Sequence, residues 1–181
     1  MTTPSRWVLY QGRSRLPDAA SPDLRGRSHR IAADVLLRSA LDEGVLIAHG
    51  DRNAGYAVRV EGGQLVHDYV HAGTHSVARS TIPVPVGRTV RLEARIRRIG
   101  EGGAVRLLVD GLDAGGGHIP ALARARTGYT GVDVGCDRGL TVGGYPPPAR
   151  FSGVLRHLEI EAADDQWLDE AAVLEIEGST G

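Results

Sequence analysis

Apolar and polar residues alternate along most of this chain with a period of two. Ile31, Ala33 and Val35 alternate with Arg30, Ala32 and Asp34. Tyr56, Val58 and Val60 alternate with Ala57 and Arg59. The clearest run sets Val90, Leu92, Ala94 and Ile96 against Arg91, Glu93, Arg95 and Arg97. A period of two sends successive side chains to opposite faces of a strand, so each run predicts a half-buried strand. Gly44 to Ala48, Leu65 to Val70, Val105 to Val109 and Val154 to Ile160 supply further apolar runs. Turn chemistry separates them: Glu61-Gly62-Gly63, Ala72-Gly73-Thr74, Gly100 to Gly103, and Asp110-Gly111. Many short strands with Gly-rich turns and few helical stripes predict an all-β antiparallel sandwich.

The two ends differ from this pattern. Residues 1–27 are rich in Pro, Ser, Asp and Arg and read as an N-terminal arm, in which Trp7 to Tyr10 are apolar enough to dock on the sandwich. The sandwich itself spans 28–161. An acidic extension follows over 162–181. Within it, Asp164-Asp165 predicts the cap of a helix carrying Trp167, Leu168, Ala171 and Ala172 on one side. Val173, Leu174 and Ile176 offer a last strand instead. Trp167 and Leu168 need cover, either from the body or from a protein partner.

Five motifs stand out: Tyr10-Gln11-Gly12-Arg13-Ser14-Arg15-Leu16-Pro17, Pro22 through Ser28, Gly55-Tyr56, Asp133-Val134-Gly135-Cys136-Asp137-Arg138-Gly139, and Phe151-Ser152-Gly153-Val154-Leu155. On these, Tyr10 to Glu161 resembles the carboxy-terminal module of bacterial arylsulfatases. The resemblance implies a jelly-roll sandwich of the concanavalin A (lectin and glucanase) type, following a hydrolytic domain that this sequence does not include. It implies a non-catalytic module, accessory to a sulfatase and acting through a protein partner or self-association. A sulfatase site needs Cys or Ser in a Cys/Ser-x-Pro-x-Arg motif. Cys136 is followed by Asp137, Arg138, Gly139 and Leu140, with neither the Pro nor the Arg. No catalytic residue is expected.

Length and charge narrow the class. The 181 residues suit one domain with a normal core. No run of 18 apolar residues exists, Met1 to Arg6 lacks the apolar stretch of a signal peptide, and Cys136 is alone. A cytoplasmic protein without membrane contact is the expectation. All 21 basic residues are Arg. Up to Leu158 they face 14 carboxylates, a net of +7, and from Glu159 onward 8 acids stand without a base. Such asymmetry predicts a tail that folds back on a basic body, one that repels polyanions, or a solvated tail. No aromatic residues interleave with Arg91, Arg95, Arg97, Arg98 and Arg106, so nucleic acid is not an expected partner.

Three sets of residues carry candidate chemistry. His67, His71 and His75 recur every four residues around a predicted hairpin, with His71 and His75 facing each other across it. Imidazoles so placed bind zinc or nickel, or fill flat half-buried sites as aromatic rings do. Asp133 and Asp137 lie on a tight Gly-rich turn, which suits calcium or the turn itself. No cofactor is otherwise implied. Carbohydrate is the third candidate. Arg52 and Asn53 sit in a loop, and Tyr56, Tyr69, Tyr129 and Tyr145 are available, although aromatics make up only 4% of the chain. Arg91 and Arg95 form a row that binds an anionic ligand or pairs with Glu93 and Glu101. No two carboxylates have the spacing glycoside hydrolysis requires.

Overall fold

The computed structural model of the protein describes residues 5–12, 15–125, 130–145 and 149–169. Among them run β1 (Arg6–Leu9), β2 (His29–Leu36), β3 (Gly44–Gly50), β4 (Gly55–Glu61), β5 (Gln64–His71), β6 (Thr74–Arg79), β7 (Thr89–Ile99), β8 (Gly102–Val109), β9 (Leu112–Ile119), β10 (Val132–Val134) and β11 (Val154–Ala162). They form two sheets, ordered β1-β11-β2-β7-β8-β9 and β10-β3-β4-β5-β6, with every strand pair antiparallel. The alternation in sequence becomes the two faces of each sheet. Val90, Leu92, Ala94 and Ile96 of β7 point inward with Tyr56, Val58 and Val60 of β4, while Arg91 and Arg95 point out. Leu46, Ile47, Leu65, Leu107, Leu158 and Ile160 are fully buried between the sheets. Each such side chain contributes roughly 2 kcal/mol by the apolar area it removes from water.

Hairpin chemistry sets the register. Gly62 and Gly63 have φ of 56° and 76°, and Ala72 and Gly73 have 49° and 78°. Left-handed residues at both centre positions give a turn whose twist matches the flanking strands. The β4–β5 hairpin thereby sets Tyr56 opposite Tyr69 and Ala57 opposite Asp68.

Glu159 and Glu161 belong to β11, which lies between β1 and β2, and this accounts for part of the charge asymmetry. Arg91 reaches Glu159 at 3.1 Å and Arg30 reaches Glu161 at 2.9 Å. Burial raises the Glu159 carboxyl, but hydrogen bonds from Arg91 and His157 outweigh it and hold the group below its ordinary value. The described start of the acidic extension folds onto the body. The helix expected after Asp164-Asp165 is absent over 163–169. Asp165 accepts instead from Ser28 N at 2.8 Å and Ser28 Oγ at 2.6 Å, bonds to the body that replace a helix cap. Ala171 to Ile176 lie outside the described residues. Among the described residues no helix is long and apolar enough to cross a membrane.

The alternation hides three strands, β1, β9 and the short β10. β1 lies inside the arm and pairs with β11. β9 contains Gly115-Gly116-Gly117, which looks like loop sequence. A Cβ on Gly116 would stand 1.9 Å from the Val105 carbonyl oxygen, so close backbone approach, not turning, explains that glycine.

Candidate functional site

The outer face of the five-stranded sheet carries the candidate site. Ala48, Ala57, Val45 and Val70 face outward there, and their small volume lets Val142, Tyr145 and Ala149 lie against the strands. Two charged residues are buried beneath this covering loop. Arg59 of β4 donates through Nε to Oδ2 of Asp68 on β5 at 2.7 Å. His75 of β6 donates through Nε2 to the other oxygen, Oδ1, at 2.8 Å. Arg59 also donates to Glu61 at 2.7 Å. Burial lowers the affinity of the Arg59 guanidinium for its proton, but Asp68 and Glu61 outweigh it and raise the group above its ordinary value. The Asp68 side chain has no solvent exposure.

The loop is fixed by a second set of bonds. Tyr145 Oη donates to Asp137 Oδ2 at 2.8 Å, and Val142 N donates to the same oxygen at 3.2 Å. Burial raises the Asp137 carboxyl despite these donors, and burial with the Asp137 charge raises the Tyr145 hydroxyl. The Arg59 guanidinium lies 4.9 Å over the Tyr145 ring. Gly143 closes over Asp68: a Cβ there would stand 3.0 Å from Asp68 Oδ1 and 2.5 Å from the Tyr145 ring.

Beside the loop opens a cleft of about 350 Å³. Arg52 and Asn53 from the β3–β4 turn, Gly73 and His75 from the β5–β6 hairpin, and Val142 and Gly143 from the loop line it. A second cleft of about 280 Å³ lies on the other side of Tyr145, between Glu61 and Arg150. What these surfaces offer is polar, planar side chains beside apolar patches, held by a rigid floor.

The other sequence candidates are distributed elsewhere. Tyr56 and Tyr69 do not reach the cleft: their register turns both inward, where each is buried. Tyr69 Oη accepts from Ala123 N at 2.8 Å. Both line an interior cavity of about 20 Å³ with His29. Arg91 and Arg95 lie on the far side of the molecule, paired with Asp34 at 3.0 Å and Glu93 at 2.9 Å. Tyr129 lies outside the described residues.

The histidine stripe does not assemble. His71 pairs with Thr74 and His75 with Val70, so the two imidazoles do not face each other. His67 is buried inside the sandwich, stacked on Tyr69, whereas His75 is on the outer face. A separation of four along β5 leaves His67 and His71 on one face but about 13 Å apart at roughly 3.3 Å per residue, and the Ala72-Gly73 turn moves His75 to the other face. Among the described residues no three His, Cys, Asp or Glu side chains form a metal-holding group. Asp133 and Asp137 do not converge on a shared calcium site either. Asp133 Oδ2 accepts from Arg15 Nη2 at 2.9 Å and from Arg138 N at 2.9 Å, while Asp137 holds Tyr145.

Three of the five motifs of the sequence resemblance meet in one structural junction, while Leu24 and Arg25 meet Gly55 and Tyr56 at the interior cavity. Arg15 of the arm binds Asp133, Gly135 N donates to Leu46 O at 2.8 Å, and Phe151 N donates to Gly135 O at 3.0 Å. Gly135, at φ 77°, lies against Gln11. These residues join arm, turn and last strand, and do structural work. Arg13 and Ser14 lie outside the described residues. Trp167 docks on the body, its N donating to Gly26 O at 2.9 Å and its ring 4.3 Å from the Arg124 guanidinium, yet it stays 41% exposed. Leu168 is half-buried beside it.

Sequence patterning alone does not single out the pair at the floor of the site, Arg59 and Asp68. A charged residue inside the apolar run Leu65 to Val70 was the available signal. Counting back through the Gly62-Gly63 turn puts Asp68 on the same face as Arg59.

No family model and no curated protein matches this chain. Solved structures do. Domains LG4-5 of the mouse laminin alpha1 chain align with a TM-score of 0.58 at 14% identity, over 92% of this chain and 46% of that one, so the chain spans about half of that fragment. The CBM40 of the Ruminococcus gnavus IT-sialidase, solved bound to alpha2,3 sialyllactose, aligns with a TM-score of 0.56 at 11% identity, over 94% and 96%. A heptameric SAP-like pentraxin from Limulus polyphemus aligns with a TM-score of 0.51 at 14% identity, over 89% and 78%. At these identities the likeness is one of fold: an antiparallel jelly-roll sandwich of the concanavalin A-like kind.

Proposed function

We propose that this chain is a non-catalytic, lectin-like module that binds carbohydrate in the cleft between Arg52, Asn53, His75 and Val142. The carrying observation is the cleft of about 350 Å³ over a floor locked by the Arg59–Asp68–His75 network. Sugars are held by planar polar side chains that read their hydroxyls and by apolar surface against the C–H face of the ring. Arg52 and Asn53 supply the first, and Val70 and Val142 the second. Both His75 and Asp68 are fixed before a ligand arrives, which lowers the ordering cost of binding. The whole-length likeness to a carbohydrate-binding module solved with a sialylated sugar supports the reading. The test is a glycan array followed by calorimetric titration of any hit, with Asn53→Ala as the control. The variant is expected to lose about tenfold in affinity, about 1.4 kcal/mol, with unchanged melting. A folded chain that retains no glycan rules the reading out.

A protein-binding role, as an arylsulfatase-like accessory module, is a second reading. It is favoured by the exposure of Trp167, since exposed aromatic rings with arginine neighbours are frequent anchors at interfaces. Light scattering on the whole chain and on Trp167→Ala tests the self-association form of it. A monomer in both cases removes that form.

A further inference from the structure

We infer that the cleft selects a sugar bearing a negative charge, a carboxylate or a sulfate ester, and that Arg52 receives it. This rests on the reading of the cleft as a sugar site and adds the class of sugar.

The distribution of commitments among the arginines carries the argument. Arg59, Arg91 and Arg95 are each held by carboxylates at 3.0 Å or less. Arg52 is exposed on the cleft wall, and among the described residues its guanidinium has no ion pair, hydrogen bond or ring contact. An unpaired guanidinium offers a planar fork of donors that matches an oxyanion in two parallel bonds.

The charge around Arg52 favours the same ligand. Among the described residues no Asp or Glu lines the cleft. The nearby acids are engaged elsewhere. Asp68 is held by Arg59 and His75, and Asp137 by Tyr145 and Val142 N. Asp51, next to Arg52, accepts from Asn53 N at 2.7 Å and so caps its own turn. Among the described residues that line the cleft, Arg52 carries the one fixed charge, and it is positive. Gly73, Gly143 and Gly144 add no side chain to the opening, leaving room for a substituent on the ring.

The test uses the whole chain on an array that sets neutral glycans beside their sialylated, uronic acid-containing and sulfated counterparts. Hits are then titrated with the wild type and with Arg52→Gln, whose folding is checked by melting. The expected result is at least tenfold tighter binding of acidic members, falling with added salt, and loss of that preference in Arg52→Gln. The sialylated and sulfated arms separate a carboxylate from a sulfate ester. Equal binding of neutral and acidic members overturns this inference and leaves the sugar reading intact. A preference that survives in Arg52→Gln also overturns it, because the charge is then read elsewhere. Retention of no glycan at all by a folded chain overturns both.

Discussion

Arg59 and Asp68 are buried partners on neighbouring strands, joined at 2.7 Å beneath Gly143 and Tyr145. Neither residue touches the interior of the sandwich. They lie on its outer face, where a sheet normally meets water, and the loop from Gly135 to Tyr145 makes that face a second, smaller core. The candidate cleft depends on this arrangement, because His75 is oriented by Asp68 and the loop rests on Arg59 through the Tyr145 ring.

Removing one member of this pair leaves the other charged and buried. Arg59→Met is expected to cost about 3–5 kcal/mol, since the Asp68 carboxylate then lacks its main partner. Arg59→Met with Asp68→Leu is expected to cost less than Arg59→Met alone, because both desolvated charges are gone. Urea denaturation of the two single variants and the double variant measures the cycle. A double variant less stable than the sum of the singles would show that the network stabilises beyond its charges.

Much of the fold was legible in the sequence, and the candidate site only in pieces. Alternation in β2 and β7 is strong because one face of each meets the core and the other carries ion-paired side chains at the surface, while β4 alternates although its outer face lies under the loop. β9 escaped because Gly115 to Gly117 erase the side chains on which periodicity depends. Of Trp7 to Tyr10, Trp7 and Leu9 pack on the sandwich while Val8 and Tyr10 stay exposed, and strand β1 is defined by pairing with β11, about 150 residues away. Arg52 and Asn53 were identifiable as loop residues facing solvent. Tyr56 shares its face with Val58 and Val60, so the alternation itself turns it toward the core and away from a ligand, whereas Tyr69 lies in the near-continuous run Leu65 to Val70, where no alternation marks the inner face. His67, His71 and His75 show another difficulty: spacing of four has one meaning on a helix and another across a hairpin.

Gly26 is expected to control the docking of Trp167. Its φ is 52°, and a Cβ on it would stand 2.2 Å from the Trp167 carbonyl oxygen. Backbone cannot yield as a side-chain tip does, so Gly26→Ala is expected to push Trp167 off Arg98 and Arg124. In a Trp7→Phe background Trp167 is the only indole, and its emission is expected to shift to the red while the β-sheet circular dichroism persists. Unchanged emission would mean that the chain around Gly26 absorbs the methyl group and that docking rests on other contacts.

Two buried histidines predict how the fold responds to acid. Burial lowers His29 to about 4, opposed by the hydrogen bond to the Arg27 backbone and by Asp165 and helped by the Arg27 charge. Burial also lowers His67 to about 4, helped by His29 and opposed by Asp68. The ordinary value for both is 6.5. Around them inside the sandwich stand the hydroxyls of Tyr56 and Tyr69, neutral across this range because burial raises both. His29 donates through Nδ1 to the Arg27 carbonyl at 2.9 Å, so its Nε2 faces the interior unprotonated. Between pH 6.5 and 4 the unfolded chain binds protons at these positions and the folded chain does not. Stability is therefore complete above pH 6.5 and falls as the pH drops through that window, by about 3 kcal/mol per histidine at its lower end. Paired carboxylates such as Glu159 add their loss at lower pH, below their ordinary value of 4.5. Urea denaturation at pH 7.5, 6, 5 and 4 separates the two, with His67→Leu expected to flatten the curve between pH 6.5 and 4. Parallel curves for the wild type and His67→Leu would mean that His67 takes up its proton within the folded sandwich at its ordinary pH.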